Sequence, residues 1–207
     1  TDVTFNDLGH ATYTVNHKGE KVAKVELSIP GMHNVYNSLS AFALATCYGV
    51  DTDAIVKGIK NFTGTDRRFQ FKGQFNGVNV IDDYAHHPTE IQATINSARG
   101  TKLNKLWIMF QPHTYTRTYN HLDDFAKVLS EADHVILLDI YASREKDTGL
   151  VSSKDLRDKI EALGGVVTYC PTFNDAEKYA VDNCRKGDML ITMGAGDVYK
   201  IGEKLVQ

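Results

Sequence analysis

From Val78 onwards the chain repeats one rhythm five times: a short apolar run, then a longer amphipathic stretch. Val78–Ile81, Leu106–Phe110, Val135–Leu138, Val166–Tyr169 and Met189–Thr192 are four or five residues each, too short for buried helices and apolar on both alternating faces. The stretches after them, 89–99, 121–131, 153–163, 176–184 and 198–206, carry apolar residues at helical spacing. Strand–helix alternation of this kind predicts an α/β fold, a Rossmann-like, mostly parallel sheet with helices on both faces. Ligands of such sheets bind beyond the carboxyl ends of the strands, where strand order reverses. The residues directly after each apolar run are therefore where chemistry is to be sought.

The first sixty residues follow a different pattern. Ala11–Val15 and Val22–Ile29 alternate as half-buried strands around a turn at Asn16–Gly19, an antiparallel hairpin. Two helices are expected next, one over 35–48 with Gly49 at its end, the other through Ile55, Val56 and Ile59 and ending near Asn61. Gly64–Arg68 breaks the pattern and reads as a linker.

Composition excludes several classes. With 207 residues and a net charge of −3, nothing favours nucleic acid or an anionic membrane as partner. No apolar run approaches the roughly 18 residues of a membrane span, and no signal peptide is visible. Cys47, Cys170 and Cys184 are odd in number and scattered, which points to thiols in a reducing, cytoplasmic setting and to neither a disulfide framework nor a zinc site. Thr1 is not a methionine and leads at once into strand-like sequence, so a piece of a longer polypeptide is expected.

Three strand ends carry acids, imidazoles and guanidiniums together: Asp82-Asp83-Tyr84-Ala85-His86-His87-Pro88-Thr89-Glu90, Gln111-Pro112-His113-Thr114-Tyr115-Thr116-Arg117-Thr118, and Asp139-Ile140-Tyr141-Ala142-Ser143-Arg144-Glu145. Ordinary βα loops hold one or two turn-forming polar residues. A convergent set of titratable groups is the default site. Thr89 and Glu90 read as helix-capping residues, and Asp82 or Asp83 could also only cap. Adjacent His86 and His87 on one loop rarely reach a single ion, so no metal-ligating set is expected. Gly194-Ala195-Gly196-Asp197 could admit phosphate, although strand–helix packing is the simpler reading. Asn34 and Asn37, three apart at a helix start, face one side of the first turn; capping by Asn34 alone is the alternative to a ligand role.

Five segments together resemble the Mur ligase family: P-G-M-H-N-V-Y-N-S at 30–38, R-R-F at 67–69, D-D-Y-A-H-H-P-T-E-I at 82–91, F-Q-P-H-T-Y-T-R-T at 110–118 and D-I-Y-A-S-R-E at 139–145. Within the family the resemblance is to the branch that joins L-alanine to UDP-N-acetylmuramate, using ATP and Mg²⁺, through an acyl phosphate. It implies that residues 1–66 are the end of a central ATP-binding domain and 67–207 a Rossmann-like amino-acid-binding domain. It also implies that Asn34 and Asn37 contact adenine, Arg68 the phosphates and Asp83 the ribose. His86, His113 and Arg117 would line the alanine pocket, with Arg117 on the carboxylate and Arg144 as a further candidate. The chain departs from the family in having no G-x-x-G-T-x-G-K-[ST] loop or magnesium-holding residues, so it is expected to be inactive alone, completed by missing regions of the same polypeptide. It departs again at Thr114, where many relatives carry arginine. The rival readings are a ligase recycling a whole tripeptide onto the same sugar, and a non-catalytic Rossmann-like nucleotide-binding module.

Overall fold

A computed structural model describes all 207 residues, which divide into two compact units: 1–65 with 96–102, and 66–95 with 103–207. In the first, β1 (Thr4–Phe5), β2 (His10–His17) and β3 (Glu20–Pro30) form an antiparallel sheet in that order. Lys18 and Gly19, both at positive φ, make the two-residue turn of the expected hairpin. Helices α1 (Met32–Cys47) and α2 (Thr52–Asn61) follow, and Val35, Phe42 and Ile55 join Tyr13, Val15, Val25 and Leu27 in one small core. Helix α1 begins three residues earlier than its apolar pattern indicates, with Gly31 as N-cap, so Asn34 is inside the helix and does not cap it.

The second unit holds the six-stranded sheet. Its strands are β4 (Gln70–Phe75), β5 (Val78–Asp83), β6 (Leu106–Phe110), β7 (His134–Leu137), β8 (Val167–Tyr169) and β9 (Met189–Met193), in the order β4-β5-β9-β6-β7-β8. All neighbours run parallel except β4, an antiparallel edge strand joined to β5 through Asn76-Gly77. Between the strands run α3 (Pro88–Arg99), α4 (Tyr115–Asn120), α5 (Leu122–Leu129), α6 (Ser153–Ala162), α7 (Phe173–Asn183) and, at the end, α8 (Tyr199–Leu205). The expected helix over 121–131 is thus a longer segment broken at His121 into α4 and α5.

Alternation along the strands sends side chains to both faces. Val78, Val80, Trp107, Met109, Ile136 and Leu190 pack with Ala176 and Ala180 of α7 and with Val198 and Ile201. The intervening Ile81, Ile108, Phe110, Val135, Leu137 and Ile191 are buried on the other face, where Phe110 meets Phe125 of α5. Strand β9, last in sequence, inserts between β5 and β6, so strand order reverses at the centre of the sheet. A crevice for a ligand is expected at the carboxyl ends of β5, β9 and β6.

Ile108 is fully buried in central β6. Ile108→Ala should destabilise this chain by about 3 kcal/mol, the usual cost of emptying such a core position. Urea denaturation checks it; a loss below about 1 kcal/mol would mean the sheet's centre is loosely packed.

Candidate functional site

The site is assembled from the tip of β5 outward. Asp82 is 1% exposed, and its carboxylate accepts from Arg67 Nε at 2.9 Å and Thr192 Oγ1 at 2.9 Å. Arg67 also donates to the Gly194 carbonyl at 2.7 Å and lies over the rings of Tyr84 (4.9 Å) and Tyr199 (4.5 Å). One guanidinium therefore ties together the segment before β4, the tip of β5 and the turn after β9. Asp83 is also buried, its two oxygens accepting from the backbone N–H groups of Phe69 and Ala85, each at 2.8 Å. Burial pushes the Asp83 carboxyl above its usual range, while those two amides and the nearby Thr94 and Arg68 pull it back.

These aspartates hold a strained turn. Arg67 and Phe69 both lie at positive φ, 58° and 46°, which residues with a Cβ rarely adopt. Between them Arg68 turns outward, exposed, with Glu90 at 3.9 Å as its ion-pair partner. Glu90 also accepts from the His86 N–H at 3.1 Å, so it caps the loop as its sequence position indicates.

The loops after β6 and β7 carry parallel pairing past the strand ends. Tyr141 N–H donates to the Pro112 carbonyl at 2.8 Å and Thr114 N–H to the Tyr141 carbonyl at 2.9 Å, a bridge that stacks the His113 and Tyr141 rings. Thr114 takes φ 69°, strained for a β-branched residue, and its hydroxyl accepts from the Arg117 N–H at the start of α4. Arg117 Nη1 donates to His113 Nδ1 at 3.1 Å, and the His86 and His113 ring centroids lie 6.1 Å apart.

Hydrogen bonding treats the Nδ1 atoms of the two rings oppositely. A guanidinium only donates, so His113 Nδ1 is bare and its proton is on Nε2. A carbonyl only accepts, so His86 Nδ1, 2.9 Å from the Tyr84 carbonyl and 3.4 Å from Glu90 Oε2, carries a proton. Burial first, then the Arg117 and His86 charges, hold His113 below the usual histidine range. The arrangement presents a guanidinium with four of its five N–H groups uncommitted to His113, beside two imidazole rings.

Of the residues anticipated at this edge, His86, His113 and Arg117 are brought together, whereas Asp83 faces the Arg67–Phe69 turn and Arg144 is exposed without joining them. His87 turns away, its Nδ1 on Thr89 Oγ1 at 2.9 Å and its ring against His121. In the first unit, Asn37 Nδ2 donates to Asn34 Oδ1 at 3.3 Å and Asn34 Nδ2 to the Pro30 carbonyl at 2.7 Å. No three His, Cys, Asp or Glu side chains come close enough together to hold a metal ion. Sequence reasoning assigned no role to Arg67, Tyr84, Gln111 or Tyr141; the R-R-F string and the position of Gln111 directly after β6 were the available signals.

This is a Rossmann-like α/β domain with a cationic, imidazole-lined site at its switch point. Residues 67–196 match the model of the Mur ligase glutamate ligase domain, and the chain belongs to the Mur ligase family. It is 52% identical over 207 residues to the UDP-N-acetylmuramate–L-alanine ligase of Lachnospira eligens and 50% identical over 206 to that of Agathobacter rectalis, covering all of this chain and 45% of each relative. The chain thus spans less than half the length of these relatives. Among solved structures, the UDP-N-acetylmuramate–alanine ligase of Thermotoga maritima superposes with a TM-score of 0.81 at 28% identity, over 96% of this chain and 42% of that one. A murein peptide ligase from Psychrobacter arcticus gives 0.66 at 28% identity, over 96% and 41%.

Two measurements check the electrostatics. The His113 imidazole should titrate below 6.5 by NMR, and Arg117→Met should move it upward by removing a neighbouring cation. Because the folded-state value is the lower one, the contribution to stability is complete above about 6.5 and declines as pH falls from there through the folded-state value. Asp82→Ala, which strands a largely buried Arg67, should destabilise by about 3 kcal/mol in chemical denaturation; no change would remove the Arg67–Asp82 pair from its structural role.

Proposed function

We propose that this chain is the amino-acid-binding part of a ligase that joins L-alanine to UDP-N-acetylmuramate in peptidoglycan precursor synthesis, in the cytoplasm. Residues 1–66 are read as the end of its central ATP-binding domain and 67–207 as its amino-acid-binding domain, with the phosphate loop and the Mg²⁺ ligands in another part of the polypeptide. The family model's start at residue 67 and the division into units at Thr65 and Asp66 support that boundary. The observation that carries the functional reading is the convergence of His86, His113 and Arg117 on one edge of the sheet.

In this reading, ATP activates the muramate carboxylate as an acyl phosphate, and the alanine amine displaces the phosphate. A planar guanidinium fork matches a carboxylate better than a point charge does, so Arg117 takes the alanine carboxylate. His113 donates its Nε2–H on the same edge, and His86 lines the pocket beside it. Exposed Arg68 reaches the ATP phosphates. Asp83, with lone pairs beyond those its two amides occupy, takes the ribose hydroxyls, and the paired carboxamides of Asn34 and Asn37 take the adenine edge. A site that excludes water protects the acyl phosphate from hydrolysis.

Eight relatives at 43% to 52% identity carry the name UDP-N-acetylmuramate–L-alanine ligase. The better superposition on the Thermotoga alanine ligase than on the murein peptide ligase, at equal identity, favours alanine over a peptide as the incoming group. The test uses the full-length protein that carries this chain, following phosphate release with ATP, UDP-N-acetylmuramate and either L-alanine or tripeptide. Alanine-dependent turnover is expected, with Arg117→Met raising the KM for alanine at least tenfold. Turnover with tripeptide alone would replace this reading with the recycling one.

A further inference from the structure

Gln111 follows directly on β6, and its main-chain N–H donates to the Met193 carbonyl at 3.1 Å. Its side chain crosses the turn after β9. A Cβ on Gly194 would meet the Gln111 carbonyl at 2.7 Å, and one on Gly196 would meet Gln111 Oε1 at 2.7 Å and Tyr141 Cγ at 3.0 Å. Both glycines of the G-x-G sequence are therefore accounted for by one glutamine lying across them, its main chain against the first and its carboxamide against the second. Packing, and not a phosphate, explains them.

The carboxamide is nonetheless unfinished. Gln111 is 7% exposed, and its Oε1 is the one buried side-chain polar atom with no hydrogen-bond partner. A buried amide oxygen without a donor is a standing penalty that folded proteins rarely keep. Its surroundings are those of the site: Oε1 abuts Gly196, Gly196 abuts Tyr141, Tyr141 stacks on His113, and His113 accepts from Arg117. Of the buried side-chain polar atoms, Oε1 alone is left without a partner. The Arg67–Gly194 hydrogen bond meanwhile fixes the near end of the turn, so Oε1 is not free to find a donor by a shift of Gly194.

We infer that Gln111 is a substrate-binding residue whose Oε1 accepts a hydrogen bond from the amino group of a small α-amino acid, as that ligand settles with its carboxylate on Arg117. The inference rests on the proposed function and adds to it a recognition group for the amine. A carbonyl oxygen suits this role: it orients an N–H without protonating the amine, and so leaves the nitrogen lone pair for attack. Gly196 comes so close that no larger residue there would leave Oε1 where it is.

The test again uses the full-length protein, with L-alanine as substrate and propionate, a carboxylate without an amine, as competing ligand. Gln111→Met keeps length and burial but removes the acceptor. Its KM for L-alanine is expected to rise about tenfold, the usual effect of losing one hydrogen bond to a charged or polarised partner, with propionate inhibition and the KM for ATP unchanged. Gln111→Glu, which retains an acceptor oxygen, should stay within about threefold of the parent by the same reckoning, and Gln111→Leu, which also removes the acceptor, takes the place of the Met variant if that one does not fold. An unchanged alanine KM in Gln111→Met, an equal loss for propionate, or a Glu variant as impaired as the Met variant would each overturn the inference. Absence of alanine-dependent turnover in the parent would instead overturn the proposed function.

Discussion

The Arg67–Asp82 pair is the interaction on which the second unit's site depends. Asp82 is at the carboxyl tip of a central strand, too buried to keep a charge without a partner close by. Arg67 supplies that partner from the segment preceding β4, and with its remaining donors it clasps Gly194 after β9. Three segments far apart in sequence are thereby locked to one buried carboxylate. The neighbouring Asp83 completes the lock through main-chain amides, which no side-chain substitution at Phe69 or Ala85 could replace. The positive φ values on either side of Arg68 survive because both ends of the turn are pinned, and the outward guanidinium is the result.

Much of this fold was legible because buried parallel strands leave short apolar runs and amphipathic helices between them. What escaped has identifiable causes. Strand β4 reads Gln-Phe-Lys-Gly-Gln-Phe, neither continuously apolar nor cleanly alternating, since an edge strand exposes much of its length. Its one clear signal was Asn76-Gly77, the strongest short-range mark of a hairpin. The start of α1 precedes its periodic signal because Met32 and His33 are exposed, while Gly31 caps by its backbone alone.

The site divides in the same way. His86, His113 and Arg117 could be picked out because titratable groups directly after parallel strands converge by topology. The partners of Asp82 and Asp83 could not, because they depend on how the chain bends at Arg67 and Phe69, and left-handed residues other than glycine leave no trace in composition. Two adjacent aspartates looked equivalent in sequence. In the structure they part, one to a side chain and one to the main chain, because successive residues of a strand face opposite sides of the sheet.

The turn after β9 shows how one short string can carry a different meaning from its usual one. G-x-G between a strand and a helix commonly lets backbone amides approach a phosphate, and the helix behind it supplies the favourable dipole end. Here α8 is only seven residues long, and Gly194 and Gly196 are both occupied by Gln111. The exposed cation on the pinned turn before β4 is Arg68, paired with Glu90 at 3.9 Å. The exposed Arg68 thus lies on the β4–β5 side, whereas His113, Arg117 and Gln111 follow β6. Arg67 touches Asp82 on one side and Gly194 on the other. A single side chain therefore links the turn before β4 to the glycine that borders Gln111.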